Sequence, residues 1–171
     1  MPDPIAILMD EHRVIEHVLT ALELAQERDD VPVSFYERAV DFIAHFADGC
    51  HHEKEEEALF PALERQGLPR DGGPIGVMLH EHQRGRDCVR RLRAAIDDGS
   101  IESAKDAARE YTALLRSHIA KEDQVLFPMA RDVLPDDVFA GLAKRFDSVE
   151  TDACDARYRT LAADLLDEMG G

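Results

Sequence analysis

Residues 50–61 read Cys50-His51-His52-Glu53-Lys54-Glu55-Glu56-Glu57-Ala58-Leu59-Phe60-Pro61. Residues 117–128 read Ser117-His118-Ile119-Ala120-Lys121-Glu122-Asp123-Gln124-Val125-Leu126-Phe127-Pro128. A constant offset of 67 lays His51 on His118, Lys54 on Lys121, Glu55 on Glu122 and one Leu-Phe-Pro on the other. A second match, at an offset of 70, lays Glu11-His12 on Glu81-His82 and Leu22 on Leu92. The chain therefore repeats a two-element plan, its first and third elements being copies and its second and fourth likewise.

Working outward, apolar residues recur at three- and four-residue spacing, which is the period of a helix with one buried face. Asp3-Pro4 is a helix start, and Ile5, Leu8, Met9, His12, Ile15, Leu19 and Leu22 form one stripe up to the polar stretch 28–32. Ser34 with Glu37 reads as a capping box for a second helix that stops at Gly67. A third helix starts near Pro74 and carries Met78, His82, Val89, Leu92 and Ile96 on one face before Asp97-Asp98-Gly99. Ser100 caps a fourth, with Ala104, Ala108, Tyr111, Leu115, His118, Glu122 and Val125 aligned until Leu134-Pro135. Pro61 and Pro128 are expected to kink or end their helices. The fold class is all-α: an up-down-up-down four-helix bundle over residues 1–134, with one or two further helices in residues 135–171 packed outside it.

Composition narrows the function classes. Apolar residues at 44% and charged residues at 33% describe a folded globular chain. A formal charge of -16 repels phosphate backbones and anionic headgroups, so nucleic acid and membrane surfaces are not the expected partners. No basic region followed by an apolar stretch opens the sequence, and no apolar run nears 18 residues, so the expected location is cytoplasmic. Cys50, Cys88 and Cys154 are an odd count without a Cys-x-x-Cys pair; a chain of 171 residues needs no cross-link, and free thiols in a reducing compartment are expected. Dinucleotide and phosphate-loop fingerprints are absent from the sequence.

The repeat carries the chemistry. Residues four apart share a helix face about 6 Å apart, so His51 with Glu55, and His118 with Glu122, each aim an imidazole and a carboxylate at one point. His52 with Glu56 has the same spacing, but these residues align with Ile119 and Asp123, and the repeat selects His51 and Glu55. Each ligand histidine lies in an otherwise apolar stripe, and burying such groups is costly unless cations compensate them. The expected metal residues are His12, His51, Glu55, His82, His118 and Glu122, a mixed imidazole and carboxylate set that suits iron, with manganese as the alternative. His17, His45 and His80 lie well around their helices from the ligands and are expected at the surface. Gly85, three residues beyond His82, opens space beside the metals, and Tyr111, two turns before His118, meets a bound small molecule there; close packing is the competing reading of both. Glu16 lies one turn from His12 and is a candidate to orient a ligand, as well as an ordinary surface acid.

On Glu11-His12, His51-x-x-x-Glu55 with Leu-Phe-Pro, Glu81-His82, and His118-x-x-x-Glu122 with Leu-Phe-Pro, the chain resembles the hemerythrin-like HHE cation-binding domain family. The resemblance implies a four-helix bundle around a non-heme di-iron site with an oxo or hydroxo bridge. It also implies a small-molecule ligand, O2, H2O2 or NO, used in oxygen carriage, sensing or detoxification. The chain departs from the oxygen carriers, which have a His-x-x-x-His pair on the third helix; here Met78 and Arg86 flank His82 at four residues. A symmetric site lacking a fifth histidine is expected, leaving about two of some twelve coordination positions open. Sensing, detoxification or storage is thus favoured over simple carriage, with a di-iron enzyme of peroxide or NO turnover and an iron- or redox-responsive interaction module as alternatives.

Overall fold

The computed structural model describes residues 2–149, 152–154 and 156–171. Helix α1 is Pro4–Gln26, and Asp3 caps it by accepting the backbone N–H groups of Ile5 and Ala6 at 2.9 and 3.1 Å. Helix α2 runs over 33–65, α3 over Pro74–Asp97, and α4 over 101–133, with Ser100 accepting the Ser103 N–H at its start. Beyond the bundle lie α5, Asp136–Val149, a short 3-10 turn, Asp152–Cys154, and α6, Ala156–Glu168. No strand occurs among the described residues.

Three local expectations are corrected. Helix α2 begins at Val33 with Pro32 at its N-cap, so Ser34 stands inside the first turn and no side chain caps this end. Pro61 and Pro128 do not end their helices, which continue to Arg65 and Val133. The backbone widens into π turns just ahead of both prolines, at Glu55–Leu59 and Glu122–Leu126. There the N–H of Phe60 bonds the carbonyl of Glu55, and that of Phe127 the carbonyl of Glu122, five residues back. Each proline then occupies the first turn of a fresh α segment, where its missing N–H costs little.

The third correction concerns the cysteines. Cys50 and Cys154 form a disulfide with Cα atoms 5.3 Å apart, leaving Cys88 as the buried free thiol. An odd count excludes pairing of all three, not of two. The 104-residue separation is invisible to any motif, because the tail must fold back before Cys154 meets Cys50.

Two apolar cores sandwich a polar belt. One joins Leu19, Leu22, Phe35, Phe42, Leu92 and Leu115 with Tyr158 and Leu165 of α6. The other joins Ile5, Leu8, Leu59, Phe60, Met78 and Phe127 with Leu142 and Phe146 of α5. Between them every bundle helix contributes buried polar groups: Glu11 and His12, His51, His52 and Glu55, Glu81 and His82, His118 and Glu122. Burying Leu or Phe side chains stabilises by roughly 1.5–3 kcal/mol each, which is what holds such a belt shut above and below.

Candidate metal centre

The belt is built from the inside out. Glu55 presents one carboxylate oxygen to His51 Nε2 and the other to His82 Nε2, both at 3.1 Å. Glu122 lies 2.8 Å from His118 Nε2 and 3.4 Å from His12 Nε2. Each glutamate therefore spans histidines of two helices, its own and one from the other kind of element. Glu55 and Glu122 are fully buried, and none of their four oxygens has a hydrogen-bond partner among the described residues.

A carboxylate stands behind every inward ring. The Nδ1–H groups donate from His12 to Asp123 at 2.7 Å, from His51 to Glu11 at 2.8 Å, from His82 to Glu56 at 3.0 Å and from His118 to Glu81 at 3.1 Å. With the proton held at Nδ1, a neutral ring turns its Nε2 lone pair inward, the tautomer a metal ligand needs. Cations brace these acids from outside: Lys54 on Glu11 at 2.5 Å, Lys121 on Glu81, Arg13 on Asp123 at 2.5 Å and Arg86 on Glu56 at 2.5 Å. Lys54 and Lys121, Glu11 and Glu81, and Glu56 and Asp123 occupy matching repeat positions, so these acids and lysines repeat twofold, whereas Arg13 and Arg86 do not match each other.

The rings are also fixed by packing. Phe127 stacks on His12 with centroids 5.3 Å apart, and Phe60 on His82 at 5.9 Å, each closing the belt on the side of the second core.

Electrostatics without an ion describe what an ion would displace. Burial opposes charging of His51, but the Glu55 and Glu11 carboxylates outweigh it and push the imidazole up to about 10. His118 is likewise pushed up to about 10, burial being overcome by Glu122 and Glu81. Burial raises the Glu122 carboxyl, yet His118 and His12 hold it well below the usual carboxylate range. Protons thus occupy, in the metal-free chain, positions where the donor chemistry suits a cation.

Histidines 12, 51, 82 and 118 and the two glutamates come together in one belt. His17, His45 and His80 are exposed. Glu16 turns outward to Arg13 at 3.0 Å, and the acid that orients His12 is Asp123 instead. The expected symmetry fails at one place: His52 is 3% exposed and points inward with the others. Two donor clusters result, His52, Glu55, His82 and His118 on one side and His12, His51, Glu55 and Glu122 on the other, with donor atoms within 4.8 Å of one another in each. The repeat sets His52 aside, because its counterpart in the other half is the apolar Ile119. Residues 43–52 are π-helical, which lowers the angle between neighbours and lets both rings face the belt.

A cavity of about 210 Å3 reaches the belt from one side, lined among others by His52, His82, Gly85, Arg86 and Tyr111. A Cβ on Gly85 would lie 3.6 Å from Tyr111 Cε2, so the two residues noted in the sequence do adjoin each other at this cavity.

Paired, buried His and Glu donors between four helices define a cation-binding helical bundle. The hemerythrin HHE cation-binding domain matches residues 3–130, and the chain belongs to that family. It is 29% identical over 153 residues to the uncharacterized protein Rv1995 of Mycobacterium tuberculosis, covering 84% of this chain and 59% of that protein. It is 32% identical over 93 residues to the iron-sulfur cluster repair protein DnrN of Neisseria gonorrhoeae, covering 48% of this chain and 57% of the relative. Identity to the iron-sulfur cluster repair protein YtfE of Edwardsiella ictaluri is 32% over 90 residues, covering 47% of this chain and 40% of the relative. The chain thus spans less than two thirds of the length of these curated relatives. No solved structure matches it at a significant level. Among the described residues no helix is long and apolar enough to cross a membrane.

Proposed function

We propose that this chain is a non-heme di-iron protein that binds or reacts with O2, peroxide or NO, serving sensing, detoxification or storage rather than simple carriage. His12, His51, Glu55, His82, His118 and Glu122 would hold the two ions. The observation that carries this reading is the belt's donor imbalance. Nε2 of His12 and His51 and all four oxygens of Glu55 and Glu122 are buried with no hydrogen-bond partner among the described residues, so nothing but protons or cations can compensate them. Leaving that many polar atoms unsatisfied in a core costs several kcal/mol, roughly 1–3 for each, unless cations pair with them. When bound, iron supplies one-electron redox chemistry and an exchangeable coordination position. The protein's own part is to fix each imidazole tautomer through its carboxylate partner, to exclude water with Phe60 and Phe127, and to admit a small molecule through the cavity beside Gly85 and Tyr111.

The partial likeness to two iron-sulfur cluster repair proteins favours reaction over storage. The test is anaerobic loading with ferrous iron, metal assay, and mixing with O2, peroxide or NO under optical monitoring. Stoichiometric uptake of iron followed by a ligand-dependent spectral change is expected. Failure to bind iron, with no rise in thermal resistance, overturns the proposal. Rapid multiple turnover of peroxide separates an enzyme from a binder, and intact return of O2 over many cycles would instead make the protein a carrier.

A further inference from the structure

One buried ring is left over when the six ligands implied by the repeat are assigned. His52 is 3% exposed, and its Nε2 has no hydrogen-bond partner among the described residues. The residue lies in one donor cluster with Glu55, His82 and His118. Behind the ring, Nδ1 engages Asp48 at 3.2 Å, and the Asp48 carboxylate is gripped by Arg86 Nε at 3.0 and 3.1 Å. His52 thus has an inward donor atom, a carboxylate on its other nitrogen and a cation bracing that carboxylate, the same three parts found at the four repeat-related histidines. Its counterpart in the other half, Ile119, is equally buried and fills its space with hydrocarbon alone.

We infer that His52 is a fifth imidazole ligand, which makes the two ion positions chemically unequal. One is faced by three imidazoles and Glu55, the other by two imidazoles with Glu55 and Glu122. The assignment rests on the di-iron reading above. It revises the coordination count: a fifth imidazole takes one of the roughly two positions left open by the six repeat-related ligands, leaving about one of some twelve. It also places His52 at the gate, because the cavity lined by Gly85, Arg86 and Tyr111 reaches the belt at His52 and His82. A small molecule arriving this way meets the His52 ring before it meets the ion behind it.

The competing role is packing: His52 lies flat on His82, with centroids 3.8 Å apart and planes at 19°. The two roles separate in the full-length, iron-loaded, oxidised protein titrated with azide. His52→Ile installs the residue that the repeat itself accommodates at this place, and His52→Ala leaves room for added imidazole. With His52 as a ligand, both variants keep iron, pulsed EPR of the mixed-valence form counts one coordinated imidazole fewer, and azide binds more tightly. If His52 holds its position about nine-tenths of the time, the gain is about tenfold. Added imidazole then restores the wild-type spectrum to His52→Ala alone. Unchanged imidazole count and azide affinity in both iron-loaded variants would overturn the assignment and leave His52 a stacking residue. Absence of iron from the wild type would instead bring down the di-iron reading and this one with it.

Discussion

Glu11 accepts the Nδ1 proton of His51 at 2.8 Å across 40 residues of sequence, joining the first helix to the second inside the belt. Its counterpart, Glu81, does the same for His118 across 37 residues. Neither acid is among the residues expected to touch a metal, yet each decides which nitrogen of its histidine carries the proton. Replacing Glu11 or Glu81 with Gln keeps the volume and removes the charge. Each substitution is expected to weaken metal binding by roughly 10- to 100-fold, as losses of such supporting hydrogen bonds do. Competition with a coloured chelator measures it, and wild-type affinity in both variants would show the acids to be structural.

This shell was partly legible in the sequence. The repeat that selected His51 and His118 also aligns Glu11 with Glu81, Lys54 with Lys121 and Glu56 with Asp123, so the same offsets carried the supporting acids and bases. The four bundle helices, the Asp3 and Ser100 caps and the outward turn of His17, His45 and His80 follow from period and local chemistry, and all are present. What escaped depends on long range or on a departure from the repeat. His52 escapes because the repeat pairs it with the apolar Ile119, and Cys154 because its pairing with Cys50 needs the tail to fold back.

Protons and metal compete for the belt, so pH acts on the metal-free and loaded forms in opposite directions. His51 and His118 are pushed up to about 10 in the folded chain, against about 6.5 unfolded. A raised folded-state value gives stability that is complete below pH ~6.5 and is lost as pH climbs through about 10. The metal-free protein is therefore expected to lose thermal stability over that window. Metal affinity should rise over the same window, because binding expels those protons. Melting curves of both forms from pH 6 to 10 check the crossing trends; parallel trends would contradict the protonation of His51 and His118.

The Cys50–Cys154 bond ties the turn before α6 to the residue preceding His51. A cross-link closing a loop of 104 residues is expected to stabilise the fold by roughly 2–5 kcal/mol, mainly by restricting the unfolded chain. Cys154→Ser should lower the midpoint of thermal unfolding accordingly while leaving metal content intact, since the belt donors are all on the bundle helices. Hydrogen exchange should locate the lost protection in α6 more than in α3. An unchanged midpoint under oxidising conditions would mean that the pair does not form in solution.

Gly85 sits in the interior of α3, where glycine costs roughly 1 kcal/mol relative to alanine. A Cβ there would meet Tyr111 Cε2 at 3.6 Å and Leu115 Cδ2 at 3.8 Å, both ordinary van der Waals contacts, so steric crowding does not require the glycine. What a side chain would take is space in the cavity that leads to His52 and His82. Gly85→Ala is therefore expected to stabilise the protein by up to about 1 kcal/mol and to slow azide binding only slightly. Gly85→Leu should fill the cavity and slow binding strongly with iron content unchanged. Stopped-flow azide binding to both variants beside their melting curves tests this. Equal rates in wild type and Gly85→Leu would show that small molecules reach the metals by another route.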